Sequence, residues 1–67
     1  MRTWLKDIRK AKKMTQRVLA DASGVSRTMI TEIEIGNATP SPKTAQAIAN
    51  ILGFNWTRFF EPQQEAS

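Results

Sequence analysis

Between Thr15 and Gly36 the chain reads TQRVLADASGVSRTMITEIEIG, and this stretch leaves few choices of fold. Val18, Leu19 and Ala22 recur at helical spacing behind Thr15, a helix-starting residue. Ala20 supplies the small side chain that two helices need where they cross at a steep angle over a short turn. Gly24, four residues later, tolerates the left-handed backbone that such a turn requires. Ser26 can then cap a second helix by accepting an orphan amide proton of its first turn. Ile30 and Ile33 turn the apolar face of that helix inward and leave Arg27, Thr28, Thr31 and Glu32 outside. The pattern predicts a helix-turn-helix.

The flanks read as further short helices. Trp4, Leu5, Ile8 and Ala11 share one face of a first helix, with Thr3 as its cap and Met14 closing the core behind it. Lys10, Lys12 and Lys13 form a basic cluster at its end, which suits either the helix dipole or a phosphate. GNATPSP after the motif is turn chemistry, and Ser41 followed by Pro42 starts a fourth helix. Its buried stripe is Thr44, Ala45, Ile48, Ala49 and Leu52, and Gly53 stops it. Asn55 caps a last short helix carrying Trp56, Phe59 and Phe60. The expected architecture is all-α, a compact bundle of five short helices in one domain over residues 1–60. Residues 61–67, EPQQEAS, are expected to fray.

With 67 residues, no cysteine and no histidine, neither disulfides nor the commonest zinc sites can staple the fold. Helix packing, helped by association with a second copy, must hold it. The formal charge of +4 suits a polyanionic partner, although such an excess often marks only a solvated face. No run is long and apolar enough to span a bilayer and no signal peptide is visible, so the expected location is cytoplasmic, at the nucleoid. Scattered acids and the lack of a glycine-rich phosphate loop speak against an enzyme.

Thr15-Gln16, Leu19-Ala20, Gly24-Val25-Ser26-Arg27, Ile30, Ile33-Glu34 and Gly36 resemble the phage-repressor and Cro type of helix-turn-helix protein. This is the lambda-repressor-like, or XRE, family, and the likeness runs from about Leu5 to Phe60. It implies a five-helix DNA-binding domain whose helix-turn-helix is formed by helices 2 and 3. Helix 3 would enter the major groove N-terminus first, where base edges present a distinct donor and acceptor pattern. On that geometry Arg27, Thr28, Thr31 and Glu32 reach bases. Arg27 can fork onto guanine, Thr28 can meet thymine, and Glu32 either accepts from cytosine or positions Arg27. Gln16, Arg17, Ser26, Asn37 and Lys43 are the expected phosphate contacts, which set register without reading sequence. Arg17 departs from the family, where this position is often acidic or neutral.

The resemblance further implies a structural ion pair between Arg9 and Glu34, locking the reading helix against the first. Ile35 stands where relatives usually have a polar or basic residue; it either packs near Pro40 or meets a sugar. Relatives bind palindromic duplex operators as dimers, two half-sites about one helical turn apart. Trp56, Phe59 and Phe60 offer more aromatic bulk than so small a core needs: either all are core, or two close the core and one, with Phe54 or Ile51 nearby, extends into the expected interface of a homodimer. No cofactor is implied. The leading expectation is a dimeric transcriptional repressor. The alternative is an antitoxin or other protein-binding partner that uses the same domain to regulate its own gene.

Overall fold

Each turn of this chain is set by a cap that local chemistry explains. A computed structural model describes residues 2–61, with Met1 and residues 62–67 outside it. Four α-helices follow one another: α1 (Thr3–Ala11), α2 (Gln16–Ser23), α3 (Arg27–Ile35) and α4 (Pro42–Leu52). Thr15 accepts a hydrogen bond from the Val18 N–H, Ser26 from that of Met29 and Ser41 from that of Thr44. These caps satisfy amides that a helix start otherwise leaves without partners. Gly24 closes α2 in the left-handed region at φ 74°. A Cβ there would meet nothing within 4 Å, so backbone conformation rather than space demands the glycine. Lys13 is the non-glycine residue that takes a positive φ, 59°, in the turn between α1 and α2.

The fifth helix is not an α-helix. Trp56–Phe60 is a five-residue 3-10 helix. Asn55 does cap it, its Oδ1 accepting from the Thr57 amide, and the Arg58 N–H closes on the Asn55 carbonyl three residues back at 3.0 Å, the bond of a 3-10 turn. Glu61 then adopts an extended backbone, as residues before a proline prefer. One short segment cannot repay the cost of nucleating an α-helix. The frayed tail expected over residues 61–67 lies outside the described residues except for Glu61.

Inside, α1 packs on α3, α2 on both α3 and α4, and the 3-10 helix on α4. The core is Leu5, Leu19, Ala20, Ile30, Ile33, Ala45, Ile48, Ala49, Leu52 and Phe59. Trp4, Phe54 and Phe59 close one end in a triangle with ring centroids 5.3–5.4 Å apart, a geometry favoured by the ring quadrupoles. Several sequence expectations need correction. Ala11, Val18 and Ala22 are exposed, because short helices bury a stripe narrower than their apolar residues mark out. Thr3 is the first residue of α1, not its cap; Arg2 takes the cap position with no side-chain cap bond. Its backbone N–H is instead held by the Glu34 carbonyl at 2.8 Å.

Candidate nucleic-acid interface

α3 begins on an open face of the helix-turn-helix. Arg27 and Thr28, the first two residues of α3, are exposed, while Thr31 and Glu32 one turn on are half-buried. Ile30 and Ile33, at 1% and 0% exposure, pin the opposite face of α3 into the core. The exposed side of the helix therefore has its position fixed from behind.

Beneath α3 lies a buried ion pair. Arg9 Nε donates to Glu34 Oε2 at 2.6 Å and Nη2 to Oε1 at 3.2 Å, a fork on both carboxylate oxygens. Arg9 Nη1 also donates to the Met14 carbonyl at 2.8 Å, tying α1 to the turn before α2. The residues are 7% and 4% exposed, so water does not screen the pair. Among the described residues it is the one salt bridge, and Glu32 is thus not paired with Arg27.

Gln16 extends this network outward. Its Nε2 donates to Glu34 Oε1 at 3.1 Å, and its Oε1 accepts from the Thr31 hydroxyl at 2.9 Å. The Thr31 hydroxyl also lies 3.1 Å from the Arg27 carbonyl, so its single proton is directed into the protein. The Gln16 side-chain amide keeps one Nε2 hydrogen outside these bonds, the single donor it could offer a phosphate. Because Thr15 caps Val18, the backbone N–H groups of Gln16 and Arg17 are the free donors at the start of α2.

Around that helix start runs an open groove lined in part by Lys10, Lys13, Arg17 and Arg27. Four cations and the positive end of a helix face the same space, an arrangement that attracts phosphate. The scan against family models matches the helix-turn-helix model HTH_3 over residues 5–59. The chain belongs to this family.

Relatives of this HTH_3 domain are regulators and phage immunity proteins. It is 44% identical over 61 residues to the uncharacterized HTH-type transcriptional regulator YqaF of Bacillus subtilis, covering 91% of this chain and 80% of that protein. It is 41% identical over 51 residues to the ImmF control region 10 kDa protein of Bacillus phage phi105, covering 76% and 57% respectively. Identity to the immunity repressor protein of the same phage is 41% over 49 residues, 73% of this chain and 34% of the repressor. No solved structure matches the chain significantly. The HTH_3 domain is a DNA-binding domain of transcriptional regulators, and no enzyme family is indicated. No helix among the described residues is long and apolar enough to cross a membrane.

The remaining residues singled out in the sequence fall in three places. Ser26 is exposed with its oxygen accepting the Met29 amide, which leaves its proton to donate. Asn37 and Lys43 are exposed on either side of the loop from α3 to α4, and Ile35 is 41% exposed at the end of α3. In the aromatic end, Phe59 is buried and Phe54, Trp56 and Ile51 are half-buried. Phe60, 45% exposed, stands edge-on to Trp56 with centroids 5.9 Å apart. Sequence reading missed the Gln16–Thr31 bond, which nothing short of the helix crossing angle reveals. It also missed Arg2, whose one signal is a cation at the positive end of α1, where the helix dipole disfavours it.

Proposed function

We propose that this chain is a sequence-specific transcriptional repressor that binds palindromic duplex DNA as a dimer, with α3 inserted N-terminus first in the major groove. The observation that carries this reading is the open start of α3: Arg27 and Thr28 are exposed on a helix held from behind by the core and by the buried Arg9–Glu34 pair. In this arrangement Arg27, Thr28 and Glu32 face base edges, and Thr31 joins them through its methyl and its free lone pairs. Phosphates are held by the Gln16 and Arg17 amides, the Arg17 side chain and Ser26 on one side, and by Asn37 and Lys43 on the other. Names of the phage relatives support the repressor reading.

Selection of bound fragments from random duplex DNA supplies the operator and tests the proposal. Arg27→Ala should then cost about 1–3 kcal/mol on the selected site and relax preference at one base position. Equal losses on selected and random duplexes would remove Arg27 from the reading set.

In this reading the dimer forms through the aromatic end, where the exposed Phe60 stands edge-on to the half-buried Trp56. Sedimentation should show a dimer at micromolar concentration, shifted to monomer by Phe60→Ser. A wild-type chain that stays monomeric, free and on DNA, would reject this interface.

A further inference from the structure

Arg2 makes more long-range hydrogen bonds than its place ahead of the first helix would suggest. Its backbone N–H donates to the Glu34 carbonyl at 2.8 Å. Its Nη1 donates to the Ile33 carbonyl at 2.8 Å and to the Ala38 carbonyl at 2.9 Å, and Nη2 reaches Thr39 Oγ1 at 3.4 Å. The partners are the end of α3 and the loop that follows it.

These contacts meet carbonyls at the end of α3. The last carbonyls of a helix lack partners within it. In α3 the Glu32 carbonyl accepts from the Asn37 and Ala38 amides, and the Ile33 carbonyl from the Gly36 amide. Arg2 supplies the donor for Glu34 and a second one for Ile33. Its charge is misplaced for α1, whose first turn has no acidic residue, and well placed for the negative end of α3. The Phe59 ring, 5.9 Å from Arg2 Cζ, backs the guanidinium. Nη1 alone serves both the Ile33 and Ala38 carbonyls and Nη2 adds Thr39, so one rigid planar group holds three acceptors, where a lysine would offer a compact point charge on a flexible stem.

We propose that Arg2 is a positioning residue for the DNA interface: it fastens the end of the recognition helix to the loop that carries Asn37, and so holds that side chain at its phosphate. The proposal rests on the DNA-binding reading above. Arg2 itself touches no nucleic acid in it.

The full-length chain, Arg2→Ala, Arg2→Lys, Asn37→Ala and the double variant Arg2→Ala/Asn37→Ala test this in two ways. Without DNA, amide exchange at Asn37 and Ala38 should accelerate roughly tenfold in Arg2→Ala, with Leu19 unchanged. On the selected duplex, affinity should fall about tenfold while the slope of log affinity against log salt stays that of the native chain, because neither the uncharged Asn37 amide nor Arg2 neutralises a phosphate. Arg2→Lys should show the same loss of affinity. In the Asn37→Ala background, Arg2→Ala should lower affinity no further.

A slope loss near about 0.9 in Arg2→Ala, additive affinity losses in the double variant, or full rescue by Arg2→Lys would mean that Arg2 meets a phosphate directly and would overturn the proposal. Unchanged exchange at Asn37 and Ala38 overturns it as well. If wild type binds duplex and Arg2→Ala binds it equally at every salt concentration, the proposal alone fails. If wild type binds no duplex better than heparin, the DNA-binding reading itself has failed, and the proposal with it.

Discussion

Glu34→Ala should leave the domain largely unfolded under conditions where the native chain is folded. The substitution strands the Arg9 guanidinium, 7% exposed, with no counter-charge, and breaking such a buried pair costs about 3–5 kcal/mol. A chain of this size has a total stability of roughly 3–10 kcal/mol by the usual per-residue range. The loss is therefore comparable to the whole. Removing both charges differs from removing one. Arg9→Met combined with Glu34→Leu should be more stable than either single alanine variant, since it leaves no unpaired ion in the core. Urea unfolding monitored by circular dichroism measures all of these. A Glu34→Ala chain within about 1 kcal/mol of the native one would mean that the pair behaves like an exposed salt bridge.

Ile33→Ala should cost about 2–5 kcal/mol, the range for truncating a fully buried aliphatic side chain. Ile33 is 0% exposed and lies on the buried face of α3, behind the exposed Arg27 and Thr28. The cavity would let α3 rock on its support, so DNA affinity should fall even where the fold survives. Val18→Ala is the matched control: Val18 is 47% exposed, and its truncation should stay within about 0.5 kcal/mol. Equal losses at the two positions would show that the buried faces of α2 and α3 are assigned the wrong way round.

What could be read without coordinates was whatever neighbouring residues decide. Ser26, Ser41 and Asn55 cap through atoms two or three residues away, and Gly24 stops α2 by its own backbone. Ile30 and Ile33 announce a buried face by their spacing. Features decided across the fold were harder to see. Ala11 and Ala22 carry too little apolar area to force themselves inward, so periodicity overstated the buried stripe. The 3-10 winding at Trp56 shows in the backbone bond from Arg58 to Asn55, three residues back, which side-chain spacing does not reveal. Arg2 bonds atoms 31 and 36 residues away, and no local pattern marks such a partner. Arg9 and Glu34 were legible through the family resemblance alone, since two charges 25 residues apart carry no signal of their own.

Gln16 connects Thr31 on the open side to Glu34 beneath it, so the four positions proposed to read bases are not equally free to vary. Arg27, Thr28 and Glu32 lie outside that chain of bonds by their side chains, and retargeting the protein to a new half-site can exchange them singly. Any replacement at Thr31 that loses the hydroxyl deprives the Gln16 carbonyl of its donor and disturbs the amide that Glu34 shares. Altered specificities should therefore arise at three positions one at a time, and at the fourth in company with a change at Gln16.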